Sequence, residues 1–109
     1  MKRGEVWTQS GGSGYASKPR PVLILQSDLL MGTDSMIICP FTTHDNEQIP
    51  TRVKFTPNAE NGLREPSDLM TEKITAVPRT KLGKRLGVVT SDDMKRAEEA
   101  MLMVLGFAG

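Results

Sequence analysis

Apolar residues along the chain form short runs that are separated by residues favouring turns. Residues 21–26 are a continuous apolar run of strand length, and residues 35–42 are a second one. Both runs predict buried, central strands. Pro40 lies inside the second run and donates no ladder hydrogen bond, so we expect strand pairing to loosen there.

Weaker patterns predict further strands around these two. Residues 5–8 form a short strand candidate, and the Gly- and Ser-rich residues 10–14 after it predict a loop. Residues 51–56 alternate polar and apolar side chains, which is typical of a half-exposed strand. One or two short strands are expected within residues 69–77, a turn at residues 81–83, and a last strand at residues 85–89.

A single convincing helix is predicted at the C-terminal end. It should begin at Thr90 or Ser91, since a hydroxyl N-cap there precedes two aspartates in the first turn. Apolar residues recur within it at intervals of three and four and form one face, and Gly106 is expected to end the helix. The face comprises Met94, Ala97, Met101, Val104 and Leu105. Many short strands and one helix predict a mainly β (α+β) domain, a small curled sheet or barrel closed by the helix.

Composition indicates a single cytoplasmic domain over residues 1–109. At 109 residues the chain has core enough for one domain, and its 38% hydrophobic and 25% charged residues are near globular averages. No apolar stretch reaches the ~20 residues that span a bilayer, and the charged N-terminus does not resemble a signal peptide. The one cysteine, Cys39, is expected to be a buried apolar residue.

The net charge is only +1, but the basic residues are unevenly placed. Residues 79–85 contain four of them and no acid, and Glu5 is the one acid opposing four more within the first twenty residues. This distribution suits a local phosphate-binding face, although an ordinary solvated surface would explain it as well.

The sequence argues against the common cofactor-dependent chemistries. One histidine, one cysteine and scattered acids give no zinc site, no cysteine–histidine nucleophile and no magnesium motif. The glycine-rich residues 11–14 lack the lysine and helix of a phosphate-binding loop. We therefore expect no cofactor and no metal, and any catalysis should be metal-free.

The most unusual local feature is Lys18-Pro19-Arg20-Pro21, which leads into the first buried strand. Each proline biases the preceding residue towards extended geometry, so both basic side chains are carried on a stiffened backbone. A fixed guanidinium suits phosphoryl transfer, since its planar fork can bind two phosphate oxygens as charge develops on them. The alternative is an arginine held in a structural salt bridge.

Two further residues follow the second buried strand. The hydroxyl of Thr42 could donate to a phosphate oxygen or could cap a turn, which is the commoner role. His44 belongs to a residue type that often transfers protons near neutral pH, but its neighbours Asp45, Asn46 and Glu47 favour an exposed loop position.

Several of these segments together resemble the MazF/PemK-type toxins in order and spacing. The resemblance rests on residues 2–7, the run Lys18 to Gln26, the strand that ends at Thr42, residues 61–63, residues 73–79 and Leu82-Gly83. It covers nearly the whole chain and implies an SH3-like β-barrel with a C-terminal helix, of the MazF/PemK/CcdB type. It also implies a homodimer, an acidic antitoxin as partner, and sequence-specific cleavage of single-stranded RNA.

The resemblance also implies roles for individual residues. Arg20 matches the family's catalytic arginine and Thr42 its catalytic threonine. Ser67 and Glu72 fall where relatives place RNA-contacting or acid–base groups, and Arg79 matches a phosphate contact. Lys18 and Tyr15 are also expected to bind RNA. The first loop departs from relatives that carry a histidine or an acid there. The reaction implied is attack of a ribose 2′-hydroxyl on the adjacent phosphate, which yields a cyclic phosphate and a 5′-hydroxyl.

Two rival functions are compatible with a similar fold. A non-catalytic toxin that poisons DNA gyrase would need a partner-binding helix but no arginine–threonine pair at the strand ends. A non-toxic RNA-binding barrel would normally stack bases on aromatic side chains, and this chain has only five aromatic residues.

Overall fold

The computed structural model describes residues 1–11 and 18–108, and seven strands and one helix lie within them. The strands are β1 (Glu5–Gln9), β2 (Arg20–Ile24), β3 (Ser35–Thr42), β4 (Val53–Phe55), β5 (Ser67–Leu69), β6 (Thr75–Pro78) and β7 (Leu82–Val88), and the helix α1 is Ser91–Val104. Short 3-10 turns at Thr71–Lys73 and Arg79–Lys81 precede β6 and β7.

The strands form one curled antiparallel sheet in the order β4-β5-β3-β2-β1-β7, and β6 also pairs with β3. The sheet is not closed, which is compatible with the curled barrel predicted from the sequence. Pairing of β3 with β6 ends at Ile38, and its pairing with β5 begins at Phe41. Pro40 lies in this gap while staying paired with Val22 of β2, so the expected loosening is confirmed on one side of β3.

Two apolar clusters pack on the two faces of the sheet. The cluster beneath the helix includes Phe41, Phe55 and Met101, and Phe41 and Phe55 meet edge to face with centroids 5.2 Å apart. The other includes Val22, Ile24 and Ile38. Cys39 is fully buried in the first cluster, as predicted. Because alternate residues of β2 and β3 supply opposite clusters, both strands read as continuous apolar runs.

The helix begins where the sequence predicted. The Thr90 side chain accepts a hydrogen bond from the backbone N–H of Asp93, and Asp92 and Asp93 occupy the first turn. Ala97 and Met101 are buried, but Leu105 is 57% exposed, so its assignment to the apolar face was wrong. Leu105 caps the helix instead, and Gly106 follows with φ +80°.

The predicted turn at residues 81–83 was also wrong. Leu82 and Gly83 belong to β7, and the chain turns earlier, in the 3-10 segment Arg79–Lys81. Leu82 pairs with Gln9 of β1 and is buried, so long-range packing outweighs the local turn pattern.

The turn at Asn61-Gly62 packs its backbone directly against β7. A Cβ on Gly62, which has φ +70°, would lie 2.1 Å from the carbonyl oxygen of Leu86, and a Cβ on Gly87 would lie 2.1 Å from that of Glu60. Only glycine fits at both positions. No helix within the described residues is long and apolar enough to cross a membrane.

Candidate active site

The ends of β2 and β3 place Arg20 and Thr42 at the same level of the sheet. The two strands pair antiparallel with Val22 opposite Pro40. Continued by two residues, this register puts Arg20 level with Thr42 and on the same face, although the strands are no longer paired there. The structure therefore brings together the two residues that the resemblance implies are catalytic.

The same row continues across the sheet in both directions. On one side of β2, Gln9 of β1 pairs with Arg20. On the far side of β3, Thr42 pairs with Asp68 of β5, and Asp68 pairs with Lys54 of β4. Side chains opposite one another in antiparallel strands share a face. Gln9, Arg20, Thr42, Asp68 and Lys54 thus form one transverse polar row.

Arg20 is exposed, and within the described part of the chain it has no ion pair and no side-chain hydrogen bond. The structural salt bridge considered from the sequence is therefore not observed there. Pro19 and Pro21 flank it, and β1 pairs with it through Gln9. A guanidinium on a stiff backbone without a protein partner can engage an external anion at little entropic cost.

Thr42 is half-buried, and its Oγ1 accepts a hydrogen bond from the backbone N–H of His44 at 3.2 Å. Thr42 therefore caps the turn after β3, which is one of the two roles expected from the sequence. A hydroxyl that accepts one hydrogen bond retains its own proton for donation, so the capping role also fixes the donor in place. His44 itself is exposed in the following loop, the position favoured by its sequence.

Glu72 is engaged in an ion pair with Arg52. Arg52 Nη2 lies 2.7 Å and Nε 3.1 Å from Glu72 Oε2, and the two side chains are only 10% and 26% exposed. The hydrogen bonds from Arg52 lower the pKa of Glu72 against the opposing effect of burial. A carboxyl held ionised in this way does not suit a general acid at neutral pH.

Ser67 and Arg79 are not part of the polar row. Ser67 is buried, and its hydroxyl donates to the carbonyl of Glu65 at 2.9 Å. Arg79 Nε donates to the carbonyl of Thr33, beside the start of β3. Thr42 lies at the other end of β3, seven residues after Ser35. At roughly 3.3 Å per residue, the two ends of the strand are about 23 Å apart, so Arg79 is remote from Thr42.

Basic side chains gather beside Arg20 instead. Lys18 is exposed two residues before it, and the Ser10 backbone N–H donates to the Lys81 carbonyl at 2.8 Å, next to the Gln9–Arg20 pair. Lys84, which is also exposed, donates its backbone N–H to Thr8 Oγ1. We call Lys18, Arg20, Lys81 and Lys84 the basic rim. Tyr15, another predicted RNA contact, lies outside the described residues.

Cys39 is not available as a nucleophile. Burial, together with the negative charge of Glu72, raises the pKa of its thiol to about 12, so the thiolate is absent at neutral pH. Across residues 1–11 and 18–108, no group of three or more histidine, cysteine or acidic side chains is placed to hold a metal ion. The polar row and the basic rim are therefore the groups considered for chemistry at this end of the strands.

Sequence reasoning missed Asp68 and Lys54. Each lies in a three-residue strand, and neither belongs to a motif. Only the long-range register places them level with Thr42. The alternating pattern of residues 51–56 was the one available signal, because it predicts that Lys54 faces away from the core.

Comparisons with known proteins show the family to which the chain belongs. Residues 2–105 match the profile of the family described as PemK-like, MazF-like toxins of type II toxin–antitoxin systems. A protein of Mycolicibacterium smegmatis named "probable endoribonuclease MazF" is 41% identical over 109 residues, which cover all of both chains.

Solved structures share the fold. A mycobacterial endoribonuclease in complex with its cognate antitoxin superposes with a TM-score of 0.83 at 25% identity, covering 100% of this chain and 98% of that one. The Mycobacterium tuberculosis toxin MazF-mt6 gives 0.77 at 23% identity, with 94% and 96% covered. The match to the family profile spans nearly all of the chain, which therefore belongs to the PemK-like, MazF-like toxins of type II toxin–antitoxin systems.

Proposed function

We propose that this toxin is an endoribonuclease that cuts single-stranded RNA at short sequence motifs without a metal ion. The observation that carries the proposal is the level placement of Arg20 and Thr42 on neighbouring strand ends. The "probable endoribonuclease" of M. smegmatis, 41% identical over the whole chain, supports the same activity.

The reaction follows from what these two side chains can do for a phosphodiester. A ribose 2′-oxygen attacks the adjacent phosphorus and loses its proton, the bond to the 5′-oxygen breaks, and that oxygen gains a proton. The products are a 2′,3′-cyclic phosphate and a 5′-hydroxyl. Arg20 neutralises the charge that grows on the phosphate oxygens, and the Thr42 hydroxyl donates to one of them.

The basic rim supplies the path for the RNA backbone. Its four positive charges flank β1 at the Gln9 end, so Lys18, Lys81 and Lys84 can bind phosphates that lie beyond Arg20 on that side of the reacting one. A near-neutral protein with this local cluster binds RNA at one face rather than over its whole surface.

We further propose a cognate antitoxin, a homodimer and a cytoplasmic location. One structural neighbour is a mycobacterial endoribonuclease solved with its cognate antitoxin. An extended acidic segment of an antitoxin would compete with RNA for the basic rim. The cytoplasm is where the RNA substrate of such a toxin is found.

The gyrase-poisoning alternative is not favoured. Such a toxin acts by binding and would not require an exposed arginine level with a threonine at neighbouring strand ends. The endoribonuclease named above, similar over the whole chain, also supports the nuclease.

Digestion of a long RNA by the purified protein in excess EDTA tests the proposal. Cleavage should persist, and end mapping should find 2′,3′-cyclic phosphates upstream and 5′-hydroxyls downstream of each cut. Arg20→Ala, prepared in parallel, controls for a contaminating nuclease and should cleave at least about a hundredfold more slowly. Cleavage that requires added magnesium, or products with 5′-phosphates, would refute the mechanism.

A further inference from the structure

A cleft of about 230 Å³ opens on the far side of Thr42 from Arg20. Its walls are Thr43 and Asp45 on one side and residues 54–56 and 66–68 on the other. Its volume is somewhat below the roughly 300–1,000 Å³ of pockets for drug-sized ligands, and it suits one flat nucleobase. The cleft begins at Thr43, the residue after Thr42, so it adjoins the candidate active site.

Asp68 and Lys54 give this cleft a hydrogen-bond acceptor beside a donor. The Asp68 side chain is 8% exposed and that of Lys54 69%, and Lys54 Nζ lies 3.5 Å from Asp68 Oδ1 and 3.2 Å from Oδ2 of Asp45. Pairing of β4 with β5 sets the backbone positions of both residues, and the two carboxylates hold the Lys54 ammonium at the mouth of the cleft. Lys54 is the one cation that reaches Asp68 within residues 1–11 and 18–108.

The charges favour a base over a phosphate in the cleft. Two carboxylates, Asp45 and Asp68, are opposed by the single ammonium of Lys54, which leaves a net negative charge. A phosphate would be repelled there and attracted to the basic rim beyond Arg20. An uncharged base with hydrogen-bond donors on its edge avoids that repulsion.

The four bases differ in how well they fit a carboxylate beside an ammonium. Guanine presents two adjacent donors, N1–H and the N2 amino group, for Asp68, and next to them the acceptor O6 for Lys54. Uracil has only one donor on that edge. Adenine and cytosine would set a ring-nitrogen lone pair against the carboxylate, which is repulsive.

We infer that this cleft, lined by Asp68 and Lys54, binds a guanine base flanking the cleaved phosphate and thereby helps to set the sequence that is cut. The inference rests on the proposed RNA cleavage at Arg20 and Thr42. Asp68 acts here as a specificity residue that contacts a base. It takes no part in breaking the phosphodiester.

Asp68→Asn tests the inference on an RNA library with randomised sequence, with the cleaved ends sequenced. The wild-type protein should enrich guanine at one position flanking the cut. The variant should lower that preference at least about fivefold, because a bidentate contact to a base edge is worth that much or more. It should shift preference towards adenine or cytosine, since an amide offers an acceptor and a donor side by side.

Asp92→Asn is the matched control, because it removes the same charge from an exposed position in the first turn of α1 and should leave the preference unchanged. Lys54→Gln is a second variant in case Asp68→Asn does not fold, and it should also weaken the guanine preference. No flanking guanine enrichment in the wild type, or equal slowing of all sequences by Asp68→Asn or Lys54→Gln, would overturn the inference. An inactive wild type would instead overturn the proposed function.

Discussion

At the scale of single residues, the charged groups of this protein divide into those with partners and those without. Arg52 pairs with Glu72, and Arg85 pairs with Glu5 at 2.8 Å. Arg20 is exposed and has no such partner in the described part of the chain. An exposed arginine on a stiffened backbone, with no ion pair among residues 1–11 and 18–108, can bind an anionic substrate.

Glu72→Gln separates a structural role of this residue from a catalytic one. The nearly buried Arg52 would keep its charge and lose its counter-charge, so we expect unfolding free energy to fall by about 1–3 kcal/mol at neutral pH. Cleavage well below the melting temperature should stay close to the wild-type rate. Urea denaturation and single-turnover cleavage of both proteins measure the two effects. Normal stability combined with a large loss of rate would make Glu72 an acid–base group instead.

The candidate site could be predicted only in part from the sequence. Arg20 and Thr42 stood out because proline chemistry and strand ends are local signals, and their level placement was then found in the register. Asp68 and Lys54 left no such signal, because their proximity to Thr42 depends on pairing between strands that are far apart in the chain. Arg79 looked equivalent to its basic neighbours until packing turned it towards Thr33.

At the scale of elements, Glu5 ties β1 to the N-terminus and to β7. Its carboxylate accepts hydrogen bonds from the Lys2 backbone N–H, the Trp7 indole and Arg85. Burial alone would raise the pKa of Glu5, but these donors outweigh it and lower the pKa from 4.5 to about 2.

This shift predicts a specific pH dependence of stability. Because the folded pKa is depressed, the contribution of Glu5 is fully present above pH 4.5 and is lost as the pH falls towards 2. Glu5→Gln should destabilise the protein by about 1–3 kcal/mol at pH 7 through weaker, uncharged hydrogen bonds. The gap between variant and wild type should close in acid. Thermal melts from pH 7 to pH 2 measure it, and a gap that stays constant with pH would contradict this role.

The elements themselves were predictable where local chemistry decides them. The N-cap of α1 lies at Thr90, and β3 has the predicted bounds, because capping and long apolar runs are properties of the segment itself. The turn at residues 81–83 was wrong because Leu82 is buried by pairing with Gln9, which lies 73 positions earlier in the chain. Leu105 continued the helical spacing of apolar residues but falls beyond the last helical turn.

At the scale of the whole molecule, the C-terminal end of α1 exposes a run of large apolar side chains. Leu102, Met103, Leu105 and Phe107 are 45%, 55%, 57% and 78% exposed. Monomers normally expose large apolar side chains singly, whereas here four lie within six positions. Such a cluster is typical of a protein–protein contact.

We predict that the protein is a homodimer at micromolar concentration and that this end of the helix contributes to the contact. Leu105→Ser with Phe107→Ser should shift light-scattering mass towards the monomer. Leu29→Ser with Met31→Ser, at side chains 92% and 85% exposed in the loop between β2 and β3, tests the other exposed apolar run and should leave the mass unchanged. A wild-type monomer at this concentration would contradict the prediction.

The most direct test of the account is a comparison of Arg20→Lys and Arg20→Ala with the wild type in single-turnover RNA cleavage, with melting measured alongside. Lysine keeps the charge but loses the planar fork, so a surface ion pair would tolerate the change within about 1 kcal/mol. If Arg20 neutralises charge in the transition state, both variants should lose about a hundred- to a thousandfold in rate, as when one oxyanion donor is removed. Melting temperature and RNA binding by Arg20→Lys should remain nearly unchanged. Near-normal cleavage by both variants, or melting losses that match the rate losses, would contradict the account.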